Sequence, residues 1–133
     1  MKRTINGKEY DISHGSNLHG SDLSGSDLSY SNLSGSDLSG SDLSGSDLSY
    51  SNLSYSNLSY SKGILRLPVS DPRGYQGFAV WTDSQWIIYG GCHKFTVAEA
   101  RAHWGNDYSG DRATGEGWLF ALNWLDNQPQ IYA

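Results

Sequence analysis

The chain has 133 residues, a net charge of −5, 37% apolar residues and one cysteine. That length holds one compact domain or two small ones. A lone cysteine excludes an internal disulfide framework, and no 18-residue apolar run exists to cross a membrane. No apolar leader opens the sequence, so the reading places the protein in the cytoplasm of the cell that makes it.

The first predicted element is a hairpin. "KRTINGKEYDI" sets Asn6-Gly7 between two short alternating runs, the strongest short hairpin signal. Strands are expected over 3–5 and 8–12. Ile5, Tyr10 and Ile12 would cover the element that follows, making residues 1–15 an N-terminal cap.

Residues 16–62 follow one rule. Leucine stands at Leu18, Leu23, Leu28, Leu33, Leu38, Leu43, Leu48, Leu53 and Leu58, always five apart, with Ser two places before and Asp or Asn one place before. Five steps of a helix move each leucine about 140° round the axis, which builds no stripe. In a straight strand, odd spacing sends alternate leucines to opposite faces. All nine can share one interior only if the chain turns a corner at every repeat. Disorder would explain the composition but not the strict phase.

The unit S-(D/N)-L-S-(G/Y) resembles the pentapeptide repeat, A-(D/N)-L-x-x, over residues 16–60. The resemblance implies a short right-handed four-sided β-helix with four repeats per coil, the Leu and the small residue two before it pointing inward. The inward residue here is Ser where the family more often has Ala, and a buried hydroxyl needs a partner. Four repeats per coil would stack residues twenty apart at about 4.8 Å. Asn32 would then lie over Asn52, Asp22 over Asp42, Asp27 over Asp47 and Tyr30 over Tyr50. Asp and Asn are expected to bond the backbone at the corners, with a selected negative surface as the sharper reading.

The fifth slot holds Gly or Tyr: Tyr30, Tyr50, Tyr55 and Tyr60 share it with five glycines. A slot that accepts Tyr is expected not to require positive φ. Tyr50, Tyr55 and Tyr60 crowd the end of the repeat. There they are expected to pack on the next domain, with an exposed binding patch as the alternative.

Residues 63–74, with Pro68 and Pro72, read as a linker. Residues 75–133 read as a small Trp-rich ββαα domain packed on the last coil. "FAVWT" and "WIIYGG" are its strands, joined by Asp83-Ser84-Gln85. Thr96 and Glu99 form a capping box that starts a helix at Val97, ending near Gly105. A second helix is expected over about 115–127, with Trp118, Leu122 and Leu125 on one face and Pro129 as its stop. Trp81, Trp86, Trp104, Trp118, Leu122 and Trp124 are its expected core. The segments "LRLPVSDPRGY", "GCHKFTVAEARAHWG" and "ALNWL" make this tail similar to that of short phage- and prophage-encoded pentapeptide-repeat proteins, a resemblance that implies no particular activity. The fold expected overall is mainly β.

No catalytic or metal residues are assigned. Cys92 and His93 adjoin, with His103 and Glu99 downstream, but nothing marks a nucleophile and its base or a paired zinc spacing. Asp107, Asp111 and Glu116 fail the EF-hand pattern, phosphate-loop patterns are absent, and no cofactor is expected. His14 and His19 read as solvated residues. The five Asp of residues 16–61 meet no Lys or Arg there, which disfavours direct nucleic-acid binding and suits a basic protein surface.

The reading is therefore a non-enzymatic structural or interaction protein of phage type. A rigid acidic module would dock on a protein partner, or on further copies of itself, in one version within a virion. Its candidate surface is Asp22, Asp27, Asp42, Asp47 and the four tyrosines. Because some pentapeptide-repeat proteins resemble duplex DNA and block type II topoisomerases, a DNA-mimic inhibitor is the first alternative. Nine repeats span only about 11 Å at 4.8 Å per coil, against about 34 Å for one DNA turn. A nucleotide sponge is the second alternative, with Arg66, Arg73, Lys94 and Arg101 as its available cations.

Overall fold

The computed structural model describes residues 2–69, 71, 76–90, 93–105 and 108–128. The chain is mainly β, with antiparallel sheets and two helices. Strands β1 (Lys2–Ile5) and β2 (Lys8–Asp11) form the N-terminal hairpin, with Ile5 opposite Lys8. Asn6 and Gly7 both have positive φ, 50° and 80°, as a two-residue turn matched to strand twist requires. Ile5, Tyr10 and Ile12 are buried in one cluster with the leucines of the repeat.

Within the repeat the chain returns alongside itself every twenty residues. Parallel bridges join Asn17 to Asp37, Asp22 to Asp42, Asp27 to Asp47, Asn32 to Asn52, Asp37 to Asn57 and Asp42 to Lys62. The bonding is the same at each. Asp37 N–H donates to the Ser16 carbonyl at 2.9 Å, and Leu18 N–H donates to the Asp37 carbonyl at 2.8 Å. The residues thus fall into four columns, and every leucine from Leu18 to Leu53 is buried, while Leu58 is partly so. Burial of each full side chain stabilises by about 1.5–3 kcal/mol.

Most inward serines satisfy themselves locally, whereas Ser36 donates to the Ser13 carbonyl of the neighbouring layer at 3.2 Å. The hydroxyls of Ser26, Ser31, Ser41, Ser46 and Ser56 each donate to the carbonyl of the leucine three residues before, at 2.5–2.7 Å. A hydroxyl that bonds its own turn asks nothing of the apolar interior, so the polar substitution at this slot costs little.

The repeat ends at Gly63, which occupies the next leucine position. Its φ is +74°, and a Cβ there would lie 2.5 Å from the Ser44 backbone. Residues 63–74, expected to be a linker, begin instead with strand β3 (Ile64–Leu67). It pairs with β4 (Gly77–Thr82), followed by β5 (Gln85–Gly90) and β6 (His93–Thr96), in one antiparallel sheet of order β3-β4-β5-β6. The expected ββαα unit is thereby corrected to four strands and two helices. Two strands were hidden: β3 by its neighbouring proline, and β6 by the capping box that follows without a break. The β4–β5 turn is Asp83-Ser84, both at positive φ, and Gln85 belongs to β5.

Helix α1 (Val97–Trp104) starts behind the Thr96–Glu99 capping box. Helix α2 (Arg112–Asp126) starts three residues earlier than expected, because the Asp111 carboxylate accepts the Thr114 N–H. Pro129 lies outside the described residues.

Strand alternation gives the sheet two apolar faces. Ile64, Phe78, Val80 and Tyr89 join the leucine cluster. Leu67, Ala79, Trp81, Trp86 and Ile88 pack with Ala100, Trp104, Trp118, Ala121, Leu122 and Leu125 of the helices. Trp124 is only partly buried at the margin of that second cluster. Trp104 and Trp118 stack at 4.3 Å. Gly77 and Gly90 lie beneath Trp118, where a Cβ would come within 2.6 Å and 2.4 Å of its ring.

Candidate functional site

The outer surface of the repeat is built from two side-chain devices. In the first, the Asp or Asn of each unit accepts from the N–H of the residue two later. Asp27 Oδ1 receives Ser29 N–H at 3.0 Å, and Asn52 Oδ1 receives Ser54 N–H at 3.0 Å. The Ser29 and Ser54 hydroxyls donate to the same oxygens. Asp and Asn act alike here, so the turn needs the oxygen and not the charge. Bonds from Ser24, Ser29 and Ser39, hydroxyl before amide, hold the carboxyls of Asp22, Asp27 and Asp37 below the usual carboxylate range. Burial pushes Asp47 up, but the Ser49 bonds and Lys94 outweigh it and its carboxyl also ends low.

The second device is the fifth slot, and it corrects an expectation. Tyr30, Tyr50, Tyr55 and Tyr60 all have φ of 58–60°, beside glycines at 66–69° in the same slot. The slot does require the left-handed region, and four tyrosines hold it at a steric cost that glycine avoids. Nor do they pack on the C-terminal sheet. Their exposures are 74%, 54%, 91% and 94%. Tyr30 and Tyr50 stack on each other at 4.8 Å and 5°, the spacing of adjacent strands.

At both ends of the repeat, side chains stand where another layer would bond. Inside, a leucine N–H and the fifth-slot N–H donate to two carbonyls of the layer beyond: Leu28 to Asp47 and Tyr30 to Ser49. At the N-terminal end, Arg3 Nη1 donates to the Asp27 carbonyl at 2.6 Å and Nη2 to that of Ser29 at 3.5 Å. Asn6 Nδ2 does the same for the Asp22 and Ser24 carbonyls. At the other end, the Tyr89 hydroxyl donates to the Ser46 carbonyl at 3.3 Å and receives the Leu48 N–H. Burial, then the nearby Asp47 charge, push that phenol up to about 12. Arg66 Nη2 donates to the Ser56 carbonyl at 3.0 Å, and Gly45 N–H finds the Trp81 carbonyl at 2.8 Å.

Sequence reading missed these end residues. The signal was present in Arg66 and Tyr89, polar atoms at strand positions whose alternation turns them toward the leucine interior.

The acidic columns also meet the chain's own cations. Lys94 lies 3.7 Å from Asp47, Arg3 sits by Asp27, and Lys62 continues the Asp22–Asp42 column. His14 and His19, expected to be merely solvated, bond the hydroxyls of Ser34 and Ser39 through Nδ1. Arg101 ties α1 to Asn123 and Asp126 of α2, and Arg66 is engaged as above, so these cations already have partners. Arg112 pairs with Glu116, and Glu99 serves the α1 cap.

His93 and His103 lie 4.5 Å apart among Phe95, Trp104 and Tyr108. Cys92, Arg73 and Asp107 lie outside the described residues. Among the described residues, no three His, Cys, Asp or Glu are grouped to hold a metal, and no helix is long and apolar enough to cross a membrane.

The family model described as pentapeptide repeats matches eight copies, over residues 14–45 and 26–61. No curated protein and no solved structure matches the chain.

Proposed function

We propose that the chain, whose residues 14–61 match the pentapeptide-repeat family model, is a non-enzymatic interaction module. In this reading the repeat is a short right-handed four-sided β-helix, the hairpin closes one end and the C-terminal sheet covers the other. The domain limits are 1–15, 16–62 and the Trp-rich remainder, with Ile64–Leu67 counted in the sheet. The module docks on another protein, in one version within a phage particle.

One observation carries this reading: four tyrosines keep a strained backbone and an exposed ring where glycine would serve the fold. At Tyr55 and Tyr60, 91% and 94% exposed, the strain is kept without a packing return, which points to a role outside the fold, and exposed aromatic rings are what protein interfaces use.

The test is affinity capture with tagged full-length chain and its Tyr55→Gly/Tyr60→Gly variant from producing cells. The expected result is a single protein retained by the parent and lost by the variant. Equal recovery with both would overturn the tyrosine-based reading.

The DNA-mimic alternative draws on the acidic columns, but Arg3, Lys62 and Lys94 offset part of that charge. A gyrase supercoiling assay unaffected at micromolar protein removes it.

A further inference from the structure

The C-terminal end of the repeat is bonded unevenly. The columns ending at Lys62, Asp47 and Asn57 meet Trp81, Tyr89 and Arg66 there. The fourth column, Asn32–Asn52, meets nothing: among the described residues, the Ser51 carbonyl and the N–H groups of Leu53 and Tyr55 have no hydrogen-bond partner. One layer lower, the equivalent groups are all bonded. Ser31 carbonyl takes Asn52 N–H at 2.9 Å, Leu33 N–H reaches the Asn52 carbonyl at 2.8 Å, and Gly35 N–H reaches that of Ser54 at 2.9 Å. The open groups therefore have the spacing and polarity of a parallel strand edge with its next strand missing. Unpaired edges of this kind are templates for a further strand.

The flanking side chains narrow the occupant. Tyr50 carries Tyr30 on one ring face at 4.8 Å, yet remains 54% exposed, so a ring can stack on its other face one layer up. Tyr55 stands at the far corner of the same edge. The Asn32–Asn52 column is uncharged, so the edge selects no sign of charge.

We propose that this edge is a strand-addition site for an extended segment of a partner polypeptide lying parallel to residues 50–55. Its residue above Asn52 exchanges two bonds, donating its N–H to the Ser51 carbonyl and accepting the Leu53 N–H. The carbonyl two residues later accepts the Tyr55 N–H. An aromatic side chain two residues before the bridging one extends the Tyr30–Tyr50 stack. This deepens the interaction-module reading and rests on it.

The test is fluorescence anisotropy of the full chain with a labelled peptide of sequence LSYSNLSYS, which copies residues 48–56. A second peptide carries an N-methyl group on its asparagine, which deletes the donor to Ser51. We expect the plain peptide to bind, the N-methyl peptide to bind at least about tenfold more weakly, and Tyr50→Gly to weaken the plain peptide several-fold. A Trp fluorescence spectrum matching the parent, with a single cooperative urea transition, shows that the variant is folded. Equal affinity of the two peptides, or no binding of the plain one up to about 1 mM, overturns the site. Partner capture that persists when this edge fails would leave the broader reading standing and remove only the strand-addition site.

Discussion

Replacing Tyr55 by glycine should stabilise the protein. Its φ is 59°, a region that costs an L-residue about 1–2 kcal/mol. Glycine gives back about 0.5–1 kcal/mol through its greater freedom in the unfolded chain. The ring is 91% exposed, so almost no buried area is lost. The balance favours the variant by about 0–1.5 kcal/mol. With a urea slope of about 1.5 kcal/mol/M, the midpoint should rise by up to about 1 M. Tyr50→Gly makes the contrast, because it also removes a stacked pair worth about 0.5–1.5 kcal/mol; its midpoint should stay level or fall. Urea unfolding followed by Trp fluorescence and far-UV circular dichroism measures both. A Tyr55→Gly midpoint below that of the parent would refute the strain argument and, with it, the claim that the tyrosines serve something other than stability.

Tyr89→Phe should cost about 1–2 kcal/mol, since the Ser46 carbonyl and Leu48 N–H lose one shared partner in a buried place; the same urea titration reads it. Gly90→Ala should cost about 1–3 kcal/mol by driving a methyl into Trp118, with the loss seen in near-ultraviolet dichroism of the tryptophans. Acid should weaken the repeat. Asp22, Asp27, Asp37 and Asp47 have depressed folded-state pKa values. Their contribution is therefore complete above the unfolded value of about 3.9 and disappears as pH falls through the lower folded values. Changing all four to Asn keeps an oxygen that accepts at any pH, so a dichroism titration from pH 6 to about 2 should show a smaller acid loss than in the parent; an unchanged titration would contradict the assignment.

The period of the repeat was legible because nine leucines and their serines keep one phase, and that phase demands a corner per unit. Helix α1 was legible from its capping box, and the hairpin from Asn6-Gly7. The left-handed slot was not, because tyrosine in place of glycine hides a backbone demand behind a side chain that seldom meets it. The strands β3 and β6 were obscured by what adjoins them. The end contacts of Arg3, Asn6, Arg66 and Tyr89 depend on which residues meet across distances of 10 to 43 positions, and no local pattern encodes that. At the candidate surface, the sequence named the tyrosines and aspartates, but only the fold separates rings that are exposed from carboxylates that are occupied by their own turns.

The twenty-residue return of the chain governs how its length can change in evolution. Excising twenty residues would remove one storey and leave Arg3, Tyr89 and Arg66 above or below the same columns they serve now. Excising five would reassign every column by one place, so that Tyr89 would meet backbone groups now facing another direction. Lineages of such a protein should accordingly gain and lose material in blocks of twenty, while single units are fixed only alongside a redesigned terminus.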